Sequence, residues 1–314
     1  MTMLDRLRPA LLALILSASP AAAADHLTVL LDWFVNPDHA PLVVAQEKGY
    51  FAEEDLDVEM IPPADPSAPP RLVAAGEGDV AISYQPNLYL QIAEGLPLAR
   101  FGTLVETPLN SLVVLEDSDV TTLADLKGKT VGFSVGGFED VLLKMMLEES
   151  GVSLDDVDLV NVNFALSPAL LADRVDAVIG AFRNVELNQL DIEGKPGRAF
   201  YPEEHGVPPY DELIFIARSD KLDDDRLPRF LKAIEHATLY LTNHPEEALE
   251  IFTKAHPDLG DELNRRAFMD TVARFSKSPG AFDAGRYQRF AEFMKDQGLI
   301  ETVPELESYA QAVR

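Results

Sequence analysis

The sequence predicts an α/β protein of two doubly wound lobes joined by two crossing strands, and three observations carry that expectation. Strand-like and helix-like segments alternate from residue 26 to 94, and the same alternation begins again at residue 130. A length of 314 residues fits about two domains of roughly 100–200 residues each. After a last strand near residue 217 the chain turns helical, and helices with one apolar face need a sheet to cover.

Residues 26–32 (HLTVLLD) are apolar and rich in β-formers, and 41–51 (PLVVAQEKGYF) follow with helical spacing. Residues 56–61 read as the next strand, 70–75 as a short helix stopped by Gly76 and Gly78, 79–83 as a third strand and 87–94 as a helix ended by Gly95. Strands are expected at 98–105 and 112–115. The second alternation runs through a strand at 130–134, a helix at 139–149, a strand at 158–162, a helix near 168–173 and a strand at 177–179. Residues 212–217 read as another strand, beyond which Leu227, Phe230, Leu231, Ile234, Ala237 and Leu241 share one helical face. The economical path leaves lobe one through 112–115 and returns through 213–217. Residues 25–108 and 216–314 then form lobe I and 109–215 lobe II, with a hinged cleft between them. Such mainly parallel sheets receive ligands at the carboxyl ends of their strands.

Composition narrows the function classes. With 26 Lys+Arg against 53 Asp+Glu the formal charge is −27, which excludes a protein that neutralises nucleic acid phosphates or rests on anionic lipid. The absence of cysteine excludes disulfides, thiolate metal sites, iron–sulfur clusters and cysteine nucleophiles. Residues 1–24 carry Arg6 and Arg8, an apolar run over 11–16, then Pro20 and Ala21 to Ala24, the order of a cleaved secretory signal. That apolar run is far shorter than the ~20 residues needed to cross a bilayer. Cleavage near Ala24, with no cysteine after it to accept a lipid, predicts a free periplasmic monomer.

Gly132-Phe133-Ser134-Val135-Gly136 matches the G-x-S-x-G nucleophile elbow and sits between a predicted strand and helix, so a serine hydrolase using Ser134 is an alternative. No HGGG-type oxyanion loop precedes it. The other reading is a strand-to-helix turn in which Gly136 and Gly137 let main-chain N–H groups face the cleft; Glu139 and Asp140 then already complement the helix N-terminus and disfavour a phosphate. The six His form no metal-binding spacing, and the acidic clusters at 155–156 and 223–225 lack the EF-hand order, so no metal is expected. Trp33, the only Trp, follows the first strand with Phe34, Asn36 and His39 close behind, where a doubly wound sheet presents its cleft. Position alone leaves ligand contact and core packing equally open. A similar cluster from Phe182 to Glu186 follows the 177–179 strand, and Phe182 and Glu186 would share a face if it is helical.

The stretches Leu31-Asp32-Trp33-Phe34-Val35-Asn36-Pro37-Asp38-His39, Ala45 to Phe51, Leu72 to Asp79, Leu126 to Gly132 and Val185-Glu186-Leu187 closely resemble the thiamin-pyrimidine-precursor binding family. The resemblance implies the type II periplasmic-binding-protein fold and the solute-binding component of an ABC importer, working with an inner-membrane permease and its cytoplasmic ATPase. The implied ligand is an aminopyrimidine such as N-formyl-4-amino-5-aminomethyl-2-methylpyrimidine or hydroxymethylpyrimidine. It implies ligand contacts from Trp33, Asn36 and Glu186, an aromatic ring at Phe182, and further site positions around Tyr84, Asn184 and His39. The family also holds a eukaryotic pyrimidine synthase, whose Lys, His and Cys-rich motif are replaced here by Ser83, Asn87 and no cysteine, so neither enzyme activity nor a cofactor is expected. The synthase's phosphate grip corresponds to Gly136-Gly137-Phe138-Glu139. A receptor for another small heteroaromatic or a sulfonate is the alternative within the binding class, although a sulfonate would want an Arg or bare helix N-termini.

Overall fold

A computed structural model describes residues 23–313; of the expected export signal only Ala23 and Ala24 fall within them. The chain begins with β1 (Asp25–Leu30), α1 (Ala40–Glu47), α2 (Tyr50–Glu53), β2 (Leu56–Ile61), α3 (Pro69–Ala75), β3 (Val80–Ser83), α4 (Gln85–Ala93) and β4 (Leu98–Val105). The single helix expected over 41–51 is two, because Gly49 takes φ +76°, a left-handed conformation that ends one helix before the next begins. There follow β5 (Asn110–Leu115), β6 (Thr130–Phe133), α5 (Glu139–Glu148), β7 (Asp158–Asn161), α6 (Leu166–Leu171), β8 (Ala177–Phe182), α7 (Glu186–Ile192) and β9 (Gly197–Phe200). The chain then forms β10 (Leu213–Arg218) and the helices α8 (Arg226–Asn243), α9 (Pro245–Ala255), α10 (Glu262–Thr271) and α11 (Ala284–Asp296).

Two five-stranded sheets result, ordered β2-β1-β3-β10-β4 and β7-β6-β8-β5-β9. In each sheet four strands share one direction and one strand opposes its two neighbours, β10 in the first and β5 in the second. The opposed strands follow directly on the two crossings, which run over 106–109 and 201–212. The return expected through 213–217 therefore lies upstream of that segment, since β10 belongs wholly to the first sheet and a boundary at 216 would divide it. Glu212 joins the crossings: its Oε2 accepts the N–H of Leu109 at 2.6 Å and of Asn110 at 2.9 Å. Burial pushes this carboxyl up to about 7.

The helical tail returns to the first sheet. The apolar face expected on α8 is buried, with Phe230 stacked on Phe51 at 5.6 Å and edge-on to Phe215 at 5.0 Å. The last residues cover the exposed edge of β4, where Arg100 N–H donates to the Tyr309 carbonyl at 2.7 Å and Gln311 N–H to the Arg100 carbonyl at 3.0 Å.

Candidate functional site

The carboxyl ends of β1, β3, β6 and β8 converge on one small cavity. Its space for the centre of a water molecule is about 80 Å³. From the first lobe it is lined by Asp32, Trp33, Asn36 and Asp38 after β1 and by Tyr84 after β3; from the second come Glu139, Leu166, Gly180, Phe182, Val185 and Glu186. Six residues singled out in the sequence thus meet here: Trp33, Asn36, Tyr84, Glu139, Phe182 and Glu186.

The aromatic walls are braced from behind. Tyr84 stacks on buried Phe138 at 4.9 Å and meets Phe182 edge-on at 6.5 Å. Half-buried Trp33 stands edge-on to Phe164 of the second lobe at 4.7 Å, and Phe34 lies against the same ring at 4.4 Å. On the opposite lip Asn184 Nδ2 donates to Asp38 Oδ1 at 2.6 Å and to Thr271 Oγ1 at 2.7 Å. Two more bonds join α7 to α10 there, from Asn188 Nδ2 to Asp270 at 2.8 Å and from Arg266 to Asp191 at 2.7 Å. The lobes are closed on each other at both lips.

His39 and Asn184, expected at the site, do not line the cavity. His39 is fully buried and sets the loop after β1: its Nδ1 accepts the Asn36 N–H, so the ring proton sits on Nε2 and is donated to Asp32 Oδ1 at 2.9 Å. Asp32 Oδ2 accepts the Tyr84 hydroxyl at 3.0 Å, which fills both its oxygens. Gly136 and Gly137 are exposed and outside the cavity. The turn they were expected to open toward a ligand is occupied from within, because the Glu139 carboxyl accepts the N–H of Ser134 at 2.6 Å. Gly180 makes room for that carboxyl: its φ is +95° and an added Cβ would collide with the Glu139 side chain. Ser134 itself is buried, and its hydroxyl donates to the Asn163 carbonyl, so the elbow motif here is a fastened turn with no base on the serine. Phe182 and Glu186 do not share a helical face: Phe182 ends β8, Glu186 opens α7, and the Phe182 N–H donates to Glu186 Oε2 at 2.7 Å.

Asp32, Asp38, Leu166, Gly180 and Val185 are lining residues that were not singled out as site residues from the sequence. Asp38 lay inside a quoted stretch but carries no local spacing signal. Its partner Asn184 is 146 residues away.

Among the described residues, four carboxyl groups and no Lys or Arg line the cavity. Burial pushes Asp38 up to about 6, Glu186 to about 7 and Glu139 to about 8, the last also raised by the neighbouring charges of Glu186 and Glu212. Such groups hold more protons folded than unfolded between their ordinary range near 4 and these values. Their contribution to stability is therefore full at low pH and is lost as pH rises through about 5 to 8. The ligand-free melting temperature is expected to fall across that range, and Glu139→Gln to flatten the fall. A wild-type melting temperature that rises across it contradicts this account. Among the described residues no three of His, Cys, Asp and Glu are placed to hold a metal ion, and no helix is long and apolar enough to cross a membrane.

Comparison with known proteins adds relatives to this geometry. The NMT1/THI5 like family profile matches residues 36–248. A Haemophilus influenzae protein assigned by name to thiamine biosynthesis is 53% identical over 93% of both chains. The formylaminopyrimidine-binding protein of Halalkalibacterium halodurans is 36% identical over 75% of this chain and 72% of its own. The 4-amino-5-hydroxymethyl-2-methylpyrimidine phosphate synthase of Legionella pneumophila is 30% identical over 80% of each. Two solved structures share the architecture: the alkanesulfonate-binding protein SsuA of Xanthomonas axonopodis (TM-score 0.70, 19% identity, 91% of this chain and 96% of that one), and the Candida albicans CA3427 product, described as having the generic periplasmic binding protein fold (TM-score 0.71, 19% identity, 92% and 97%). At those identities the structures speak for the fold alone, whereas the sequence matches are strong enough to place the chain. It is a member of the NMT1/THI5 like family, built on the periplasmic-binding-protein fold.

Proposed function

We propose that this protein is the periplasmic solute-binding component of an ABC importer and that it closes its two lobes on a thiamin-precursor aminopyrimidine, of the N-formyl-aminomethyl or hydroxymethyl kind. The observation that carries the reading is the Glu186 carboxyl, raised by burial to about 7 in a cavity walled by Trp33, Tyr84 and Phe182 with no Lys or Arg among its described lining residues. A flat heteroaromatic ring gains from aromatic faces, and its amino group and ring nitrogen form an edge that one carboxyl can meet. The kinship with a formylaminopyrimidine-binding protein supports the same ligand class. The synthases in the family are enzymes, but Ser83 and Asn87 stand where the resemblance to that branch asks for Lys and His. The permease and ATPase are the partners this role requires.

A sulfonate receptor is the second reading, favoured by the fold neighbours. With no Lys or Arg among the described lining residues and Asp38 still ionised at neutral pH, the cavity offers a sulfonate repulsion and no facing cation, which argues against it. The deciding experiment is mass spectrometry of the small molecule released when the purified protein is denatured. A 4-aminopyrimidine is the expected result, and a released aliphatic sulfonate would overturn the assignment.

A further inference from the structure

The four carboxyls of the cavity are not equivalent. Asp32 has both oxygens filled, by His39 and Tyr84. Glu139 is held by the turn before α5. Glu186 gives one oxygen to the Phe182 N–H and keeps the other for a ring edge. Asp38 differs from all three. Its Oδ1 accepts Asn184 Nδ2 at 2.6 Å and Thr271 Oγ1 at 3.0 Å, while Oδ2 is buried without any donor, on a residue that is 1% exposed and lines the cavity.

A carboxylate oxygen removed from water and left without a donor is costly, and none of the described residues meets this one. The lobes already touch around it and Asp38 lines the cavity, so a ligand seated there is placed to bring a donor. A neutral hydroxyl or amide N–H would satisfy the hydrogen bond but leave the cavity's negative charge unopposed. An ammonium group would answer both, through a charge-assisted bond in a poorly solvated site. We propose that the preferred ligand carries a protonated primary amine on an arm beside its pyrimidine edge, and that Asp38 is the residue that selects it. The proposal rests on the aminopyrimidine reading of the cleft, keeps its ring, and puts a free aminomethyl arm in place of the formylaminomethyl or hydroxymethyl one.

Asp38 is held from both sides of the cleft. Asn184 lies between β8 and α7 of the second lobe, and Thr271 ends α10, which follows the return to the first sheet. Its carboxylate is therefore aimed only when the lobes meet, which couples amine recognition to closure. Burial raises Asp38 to about 6, so it still carries its charge at neutral pH.

Calorimetry at pH 7 with three 4-amino-2-methylpyrimidines that differ at position 5, bearing aminomethyl, hydroxymethyl or formylaminomethyl arms, tests this. Wild type is expected to bind the aminomethyl compound at least about tenfold tighter than the other two. In Asp38→Asn, whose fold is checked by its melting temperature, the ratio of aminomethyl to hydroxymethyl affinity should shrink to within about threefold, whatever loss the two ligands share through the Asn184 contact. Equal wild-type affinities for all three, or an amine preference that survives in Asp38→Asn, overturn the proposal and leave the pyrimidine reading standing. Failure of all three to bind removes that reading and the proposal with it. If Asp38→Asn does not fold, the wild-type ranking decides alone.

Discussion

Glu186→Ala is expected to weaken aminopyrimidine binding by about 1–3 kcal/mol, because the amino group and ring nitrogen of the ligand are left unpaired in a closed cleft. Glu186→Gln should cost much less, since its amide offers a donor and an acceptor to the same edge. The pH dependence separates the two mechanisms of pairing. A carboxyl meets the edge fully only when one proton lies between them, on the acid or on the ring. With Glu186 raised to about 7, the free protein already holds that proton below pH 7 and must take it up above. Wild-type affinity should therefore fall by about tenfold per pH unit above pH 7–8, and should also fall at low pH once the free ligand ring is protonated. Gln, which does not titrate, should flatten the alkaline limb. Calorimetry from about pH 5 to 9 in buffers of different ionisation enthalpy measures both affinity and proton uptake. Equal affinity for wild type, Ala and Gln would show that Glu186 only fastens the Phe182 N–H, and the pyrimidine assignment would lose its main support.

Trp33→Ala is expected to lower affinity tenfold or more, about 1.4 kcal/mol, through loss of a stacking face. The same residue should report binding in wild type. It is the only Trp of the chain, it lines the cavity, and its ring contacts Phe164 across the cleft, so both ligand stacking and lobe closure alter its surroundings. An unchanged Kd in Trp33→Ala, together with fluorescence indifferent to ligand, would mark Trp33 as a packing residue of the lip.

Periodicity made the two alternating lobes and the buried face of α8 legible, because those features depend on local spacing. What escaped depends on distant partners. β9 is four residues, Gly-Arg-Ala-Phe, without a β-branched run, and is a strand because β5 offers it an edge. β8 continues past 179 to Phe182 through Gly180, whose left-handed φ looks like an end in sequence but is required by the Glu139 carboxylate. The path between lobes was misplaced because an apolar run at 213–217 reads identically whether it crosses a hinge or lies within a sheet. At the site, residues in aromatic or acidic clusters after strands were visible. His39 was read as a ligand contact because its burial under Asp32 follows from a tight turn, and Asp38 was passed over because its environment is made by Asn184 and Thr271.

The Glu212 carboxylate grips the outgoing crossing at Leu109 and Asn110 from the returning one, so the two connections between the sheets are riveted side by side. Two connections tied at one point resist sliding but permit turning. Relative motion of the lobes then resembles the opening of shears about a pin, with travel growing in proportion to distance from it. On the proposed lobe closure, residues near Glu212 are expected to move least and those of the lips most. On that closure, a small angular change at the rivet is expected to make or break the contacts of the lips together.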